Sequence, residues 1–537
     1  MNRRSSHPSP FSLLGEKVAP KGSDEGSLRT LRLAGVGARA AAESTTGSTK
    51  ITDNGKGATQ CAVSTFRVFR GQRGALLPPP ALAGKSPIGA RPLIRPGIRP
   101  ATFSPKREKA NALLRRPAAP QPPALPGVLA ALALLGSLAA GQAHAQSDND
   151  LHGRLELSDA GLFSNGDSIE AALGAEDSDE ALANLRLTWE PTWGPWSLQI
   201  HGVAAIEDGP AAALSRAEAT LLPAPPATWL NLTDTFASHG DVLGQASIDR
   251  LAVAYTTPDL VVRIGRQAIT WGGGLVFRPM DLFDPFSPSA TDTEWKPGVD
   301  MLYVQRLFAD GSDVQFILAP RPARLGGPVT ADASSAALHI HTTIAGHETT
   351  LLLARDHGDW VGGLGVNGAL GGATWNVELV PTFLRVGGTR VSGIANISDG
   401  VTLFGHNATV FAEYFHNGFG DTNRLLTLET LPPDLEDRLV RGQLFNTRRD
   451  YLAGGMTLEV DPLLTVSPTL IADLNDGSLF ALLAGTWSLS DNLTLIAGAQ
   501  APLGPARTEF GGLPLSPSSP ILFAPPAQLY VQLRRYF

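Results

Sequence analysis

From Leu151 onward the chain reads as a ladder: segments of about ten residues in which apolar and polar side chains alternate, each closed by turn residues. A period of two sends successive side chains to opposite faces of an extended strand. In "NLRLTWEP", Leu185, Leu187 and Trp189 share one face and Arg186, Thr188 and Glu190 the other. In "WSLQIHG", Trp196, Leu198 and Ile200 oppose Ser197, Gln199 and His201. "LLTVSPTLIAD" sets Leu464, Val466, Pro468 and Leu470 against Thr465, Ser467, Thr469 and Asp473. No stretch after Ala145 approaches the length of apolar helix that a bilayer crossing needs. Strands are therefore the elements to account for.

About eighteen such segments are expected, with starts near 151, 184, 196, 248, 260, 299, 313, 335, 347, 360, 373, 389, 408, 451, 464, 478, 493 and 527. Every second connection is short: "TWGP", "PD", "ADGS", "AGH", "GALGG", "GHN", "DPL" and "LSDN". The long ones, near 159–183, 207–247, 272–298, 321–334, 418–450 and 502–526, all fall in the other register. A soluble sandwich would share the alternation, but not this strict order of short and long. The pattern predicts an all-β fold, a transmembrane antiparallel up-and-down barrel of 16–18 strands with short turns at one rim, large loops at the other and both chain ends on the short-turn side.

The charge is divided between two halves. Residues 1–116 hold 21 of the 43 Lys and Arg but only 6 of the 50 Asp and Glu, leaving 22 basic and 44 acidic residues in the remainder. Between the halves, Arg115 and Arg116 precede an uncharged apolar run from Val128 to Ala140 and the small-x-small site Ala143-His144-Ala145, which is the grammar of a secretory signal peptide. The domains expected are a disordered or over-read extension at 1–112, a signal peptide at 113–145 cleaved after Ala145, and the barrel at 146–537. The single cysteine, Cys61, lies in the extension, so the exported part has neither a disulfide framework nor a thiolate metal site.

In a barrel whose apolar face meets lipid, the other face meets water or a plug. Parity places Arg154, Glu156, Arg186, Glu190, His201, Arg250, His339, Asn376, Glu378, Glu413 and Gln500 inside. The richest stretch is "VVRIGRQAITWGGGLVFRPMDLFDPFSP", from Val261 to Pro288. Arg263 and Arg266 differ in parity, so they face one side only if Gly265 marks a bulge. After Trp271 come three glycines, then Phe277, Met280, Leu282, Phe283 and Phe286 interleaved with Arg278, Asp281 and Asp284. That is too apolar for a freely solvated loop. It is expected to fold into the lumen and narrow it, with packing at the rim as the alternative.

The same stretch carries a resemblance. "RIGRQ" followed by "WG" and "RPMD", together with "AEYFHNGFG" at 412–420, resembles a motif set of porin-like outer-membrane barrels of Proteobacteria, including alginate-export-type barrels. The terminal Phe537 of "AQLYVQLRRYF" is similar to the last residue of such barrels, although Arg535 stands where an apolar residue is usual. The resemblance implies an integral protein of the Gram-negative outer membrane, a pore passing or exporting small polar or anionic solutes. It implies solute contact at Arg263 and Arg266; with Arg186, Arg250, Glu378 and Glu413 from the parity of the wall and Arg278, Asp281 and Asp284 from the loop, these are the candidate solute-contact residues.

Catalysis has no foothold in the motifs. G-x-S-x-G is absent and "HETTL" lacks the second histidine of a zinc helix. His339 and His341 share a face with no third ligand nearby in the sequence, so no metal site and no cofactor are expected. The expected partners are outer-membrane lipid and a small polar solute, without nucleic acid, as a monomer or a homotrimer. A barrel that displays loops or binds at the surface without transport remains the alternative.

Overall fold

The computed structural model describes residues 151–210, 212, 228–324 and 326–537. The expected extension, signal peptide and cleavage site lie outside the described residues. Eighteen long strands form one closed sheet. β1 to β6 are Leu151–Phe163, Asp177–Trp189, Trp196–Asp208, Val242–Thr256, Leu260–Gln267 and Val299–Leu307. β7 to β12 are Asp313–Ala319, Ser335–Ile344, His347–Asp356, Asp359–Leu370, Ala373–Phe383 and Thr389–Leu403. β13 to β18 are His406–His416, Asp450–Asp461, Leu464–Asp473, Leu479–Ser490, Leu493–Leu503 and Ala527–Tyr536.

Each strand pairs antiparallel with the next, and β18 returns to β1 with Leu533 opposite Leu157. Closure leaves no backbone edge unpaired, which a chain crossing hydrocarbon requires. The seam is finished at the last residue. Gly153 and Phe537 exchange both backbone hydrogen bonds, N–H to O at 2.7 and 3.0 Å. A Cβ on Gly153 would stand 2.3 Å from the Phe537 ring, so the glycine is what lets that ring lie across the join. Arg535 points outward at the rim and donates to the Asn492 side chain, which accounts for a charge so near the end.

The order of turns is as expected. Among the described residues the short connections gather at one rim, with Leu151 and Phe537, and the long loops at the other. Outward side chains between the rims are Leu, Val, Ile and Ala, such as the exposed Ile264, Leu353, Leu379 and Leu529. Exposed aromatics flank this band: Trp189, Trp193, Trp196, Phe308 and Trp487 towards the short-turn rim, Phe163, Trp360, Phe383 and Tyr414 towards the other. An apolar belt between two aromatic girdles is the surface of a barrel that spans a bilayer.

Three features were not expected. A short strand, Thr233–His239, pairs with the upper part of β4 and rises above the end of β5. A helix, Pro433–Val440, sits in the loop before β14, and a two-residue ribbon of Leu513–Pro514 with Leu522–Phe523 in the loop before β18. The bulge at Gly265 that would bring Arg263 and Arg266 to one side is not formed. Pairing runs through Gly265 without a slip on either side, and the residue takes a φ of +122° open to glycine. The bulge falls instead in β4, where the register slips opposite His201 and Gly202 and Asp249 is the extra residue.

Candidate functional site: the lumen and its inserted loop

The loop at 268–298, between β5 and β6, folds into the barrel. Its first anchor is made by wall carboxylates. Glu413 on β13 accepts the backbone N–H groups of Leu275 (2.6 Å), Val276 (2.9 Å) and Phe277 (2.7 Å). Glu378 on β11 accepts that of Gly273. Asn396 on β12 donates to the Gly273 carbonyl (3.0 Å) and to Glu413 (2.9 Å). The three glycines make this approach possible: Gly272 has φ +90°, and a Cβ on Gly273 would stand 2.9 Å from Asn376.

The second anchor is apolar. Trp271, Met280 and Phe283 of the loop pack on Met301, Tyr303, Ile317, Leu352, Val361 and Val380, inward side chains of β6 to β11. Phe277 lies in a separate cluster with Ile394, Phe415 and Tyr451, stacked on Phe415 at 4.6 Å. Burying Phe277, Met280 and Phe283 contributes about 1.5–3 kcal/mol each. The composition that ruled out a solvated loop is thus explained by a dry half of the wall.

The third anchor is ionic and lies across the lumen, on the strands that close the barrel. Arg154 of β1 donates to Glu294 (2.6 Å) and Asp292 (2.8 Å) of the loop and meets Glu156 at 3.1 Å. Arg534 of β18 meets Glu156 at 3.0 Å and Asp292 at 3.1 Å. Burial alone would raise the Asp292 carboxyl, but the Arg154 hydrogen bond and the two guanidinium charges hold it below the ordinary carboxylate range. Beside this latch Arg186 donates to Asp249 (2.7 Å) and lies over the Trp295 ring at 4.8 Å, while Arg250 donates to Asp249 (2.8 Å) and to the Lys296 carbonyl. Within the loop, Lys296 Nζ is paired with Asp281 (2.6 Å). Burial draws the Lys296 ammonium down and pushes the Asp281 carboxyl up to about 6 in spite of their attraction.

Between the loop and the wall of β18 and β1 to β4 lies a cavity of about 1020 Å³. Of the nine residues expected at the site, Arg186 and Asp284 line it. Glu378, Glu413 and Asp281 face inward but are committed to the loop, as above. Arg266 is tied to Asp300 (2.9 Å) and to the Leu230 carbonyl (2.5 Å), and its parity is opposite to that of Arg263, so the two do not form one patch. Arg263 lies over the Tyr303 ring at 4.7 Å and Arg278 over Phe286 at 5.9 Å. Arg154, Glu156 and Arg534 carry inward parity in the sequence, whereas nothing in it marks Asp249, Asp292 and Glu294 as their partners. Arg534 shares the alternation of Gln528, Tyr530 and Gln532 and was legible by that rule; the acids of the loop were not.

An eighteen-stranded membrane barrel narrowed by an inserted loop has the architecture of a channel. No family model matches the chain, and no curated protein does. Solved structures of porins are similar to it. OpdQ of Pseudomonas aeruginosa aligns at 9% identity over 73% of this chain and 99% of its own, with a TM-score of 0.42. OccAB1 of Acinetobacter baumannii gives 9%, 74%, 99% and 0.41, and a BenF-like porin of Pseudomonas fluorescens 10%, 73%, 99% and 0.41. These are likenesses of barrel architecture at very low identity. The alginate-export-type resemblance stays one of sequence motifs alone.

Proposed function

We propose that the chain is a pore of the Gram-negative outer membrane through which small polar solutes pass without a cofactor, with its short turns in the periplasm and its long loops outside. The observation that carries this reading is the loop at 268–298, fastened inside the barrel by Glu413 and Glu378 on one side and Arg154 and Arg534 on the other, with the 1020 Å³ cavity beside it. A structural barrel has no need of a water-lined space held open by ion pairs. Four guanidinium groups, Arg154, Arg186, Arg321 and Arg441, line the cavity against ten carboxylates, so the local field favours cationic or neutral solutes over the anionic ones considered from the motifs. Planar-bilayer recording tests both parts. The folded protein is expected to conduct, with a reversal potential in a potassium chloride gradient on the cation side; a silent bilayer at every voltage would sink the pore. Sequencing the N-terminus of protein from an outer-membrane fraction tests the leader, with Gln146 expected as the first residue.

A second reading, display or binding at the cell surface, has its own support. The loops at 417–449 and 504–526 form one packed cap in which the buried Glu509 accepts from Asn446 (3.1 Å), from the N–H and hydroxyl of Thr447 (3.3 and 3.1 Å) and from the N–H of Arg448 (3.1 Å). A cap that ordered can present a surface as well as bound a mouth.

A further inference from the structure

We propose that the outer face of the barrel at the long-loop rim of β9 to β11 docks the phosphate-bearing headgroup of an outer-leaflet lipid; this rests on the outer-membrane reading above. Arg355 has the outward parity of Leu351 and Leu353, both exposed. Its ladder partner is Trp360, whose partner in turn is Phe383, so a cation and two exposed aromatic rings form one row on the outer wall at the height of the girdle. Just above, Arg355 and Arg385 converge on the single carboxylate of Asp332, at 3.1 and 2.7 Å. Arg355 adds only a long bond of 3.4 Å to the Ala331 carbonyl.

Each guanidinium has five N–H donors in a planar fork. One shared carboxylate occupies a minority of the ten, and the two side chains remain 36% and 59% exposed. Two cations on one anion leave a local positive charge on a chain whose residues after 116 carry 44 acids and 22 bases. The exposed pair at the opposite rim, Arg306 with Asp259 at 2.8 Å, is matched one to one and leaves no such excess. The connections here are among the shortest of their rim, the two residues 357–358 and the five residues 384–388, so no long loop from these strands stands over the row. A phosphate monoester on the headgroup matches the open guanidinium forks, and the lipid's acyl chains would lie along Leu353, Trp360 and Phe383.

The test folds the full chain into phosphatidylcholine vesicles with and without bisphosphorylated lipid A, then counts the lipid that stays bound through detergent extraction by native mass spectrometry. Wild type and R306Q are expected to retain lipid A, R355Q/R385Q to retain about thirty-fold less, and R355K/R385K to fall between. Dephosphorylated lipid A should not be retained, and inorganic phosphate should not displace the bound lipid. Equal retention by R355Q/R385Q overturns the proposal, as does displacement by inorganic phosphate, which would make the rim a small-anion site. Conductance is recorded on the same samples. A silent wild type that still retains lipid through these arginines defeats the pore and not the docking surface, and a conducting wild type without selective retention does the reverse.

Discussion

Replacing Glu413 with Gln tests whether wall carboxylates hold the lumen loop in place. Oε1 accepts the N–H groups of Val276 and Phe277, while Oε2 accepts those of Leu275 and the Asn396 side chain. The amide keeps one acceptor, but it turns an N–H₂ donor towards two donors and weakens the two remaining bonds by removing their charge. A hydrogen bond to a charged group contributes about 1.5–3 kcal/mol net, and a buried donor left without a partner costs about 1–3 kcal/mol. Losing the Oε2 side while part of the Oε1 side survives therefore amounts to about 2–4 kcal/mol of loop docking, or roughly 30- to 1000-fold in the opening equilibrium. Amide hydrogen exchange reads that equilibrium at the affected groups. Exchange at Leu275, Val276 and Phe277 is expected to accelerate by that factor in E413Q, and single-channel records to become noisier as the segment leaves the wall. Glu459, exposed in the lumen near the short-turn rim with Asn407 as its contact, serves as the control in E459Q. Unchanged protection at the three amides in E413Q, in a barrel that is otherwise folded, would refute the idea that this carboxylate fastens the loop to the wall.

Gly153→Val drives a side chain into the space of the Phe537 ring and should cost about 1–3 kcal/mol, lowering the urea midpoint of the heat-modifiable folded band; an unchanged midpoint would mean the ring does not fasten the seam. Arg154→Gln removes one of two cations clamping Asp292, Glu294 and Glu156 and should move the reversal potential further to the cation side, with no movement if the latch lies off the ion path. Asp281 sets a pH dependence: its carboxyl titrates near 6 when the loop is docked and near 3.9 when exposed, so the docked loop binds the proton more tightly. Stability should then rise as pH falls from 7 to 5, by about 1.3 kcal/mol, and the rise should vanish in D281N; a fall in the wild-type melting temperature over that range that D281N abolishes would contradict the sign.

What was legible in the sequence follows from the range over which each rule acts. Alternation and turn length are local, so the strand starts expected at 151, 196, 260, 299, 313, 335, 347, 373, 389, 464, 493 and 527 are those observed. Errors came where a strand extends into a loop without changing its environment: β2 begins at Asp177, and β4 at Val242, each with polar residues that a turn would also use. The fate of the inward charges depends on contacts more than a hundred residues apart, as between Glu413 and Phe277, and parity says only which way a side chain points. A free lumen arginine and one tied to an aspartate of another strand, such as Arg186 with Asp249, have the same parity signature.

One long-range feature was nevertheless written into the strands themselves. A barrel strand facing water inside must alternate, as β1 does with Arg154 and Glu156 and β18 does with Gln532 and Arg534. "FILA" at 316–319 in β7 and "LLLA" at 351–354 in β9 do not alternate; they are apolar on both faces. The outward residues of these runs, Phe316, Leu318, Leu351 and Leu353, are exposed to the membrane side, whereas Ile317, Ala319, Leu352 and Ala354 are buried inside. An apolar inner face cannot be left to water at about 25 cal/mol per Å², so something must cover it. Among the described residues, the long connection that leaves a strand next to this wall with matching apolar content is the one holding Trp271, Met280 and Phe283. Loss of alternation in β7 and β9 and the greasy loop after β5 are two halves of one signal. Together they specify which side of the barrel the loop packs against, while β18, and β1 from Arg154 to Ser158, alternate and mark the side left to water, where the cavity lies.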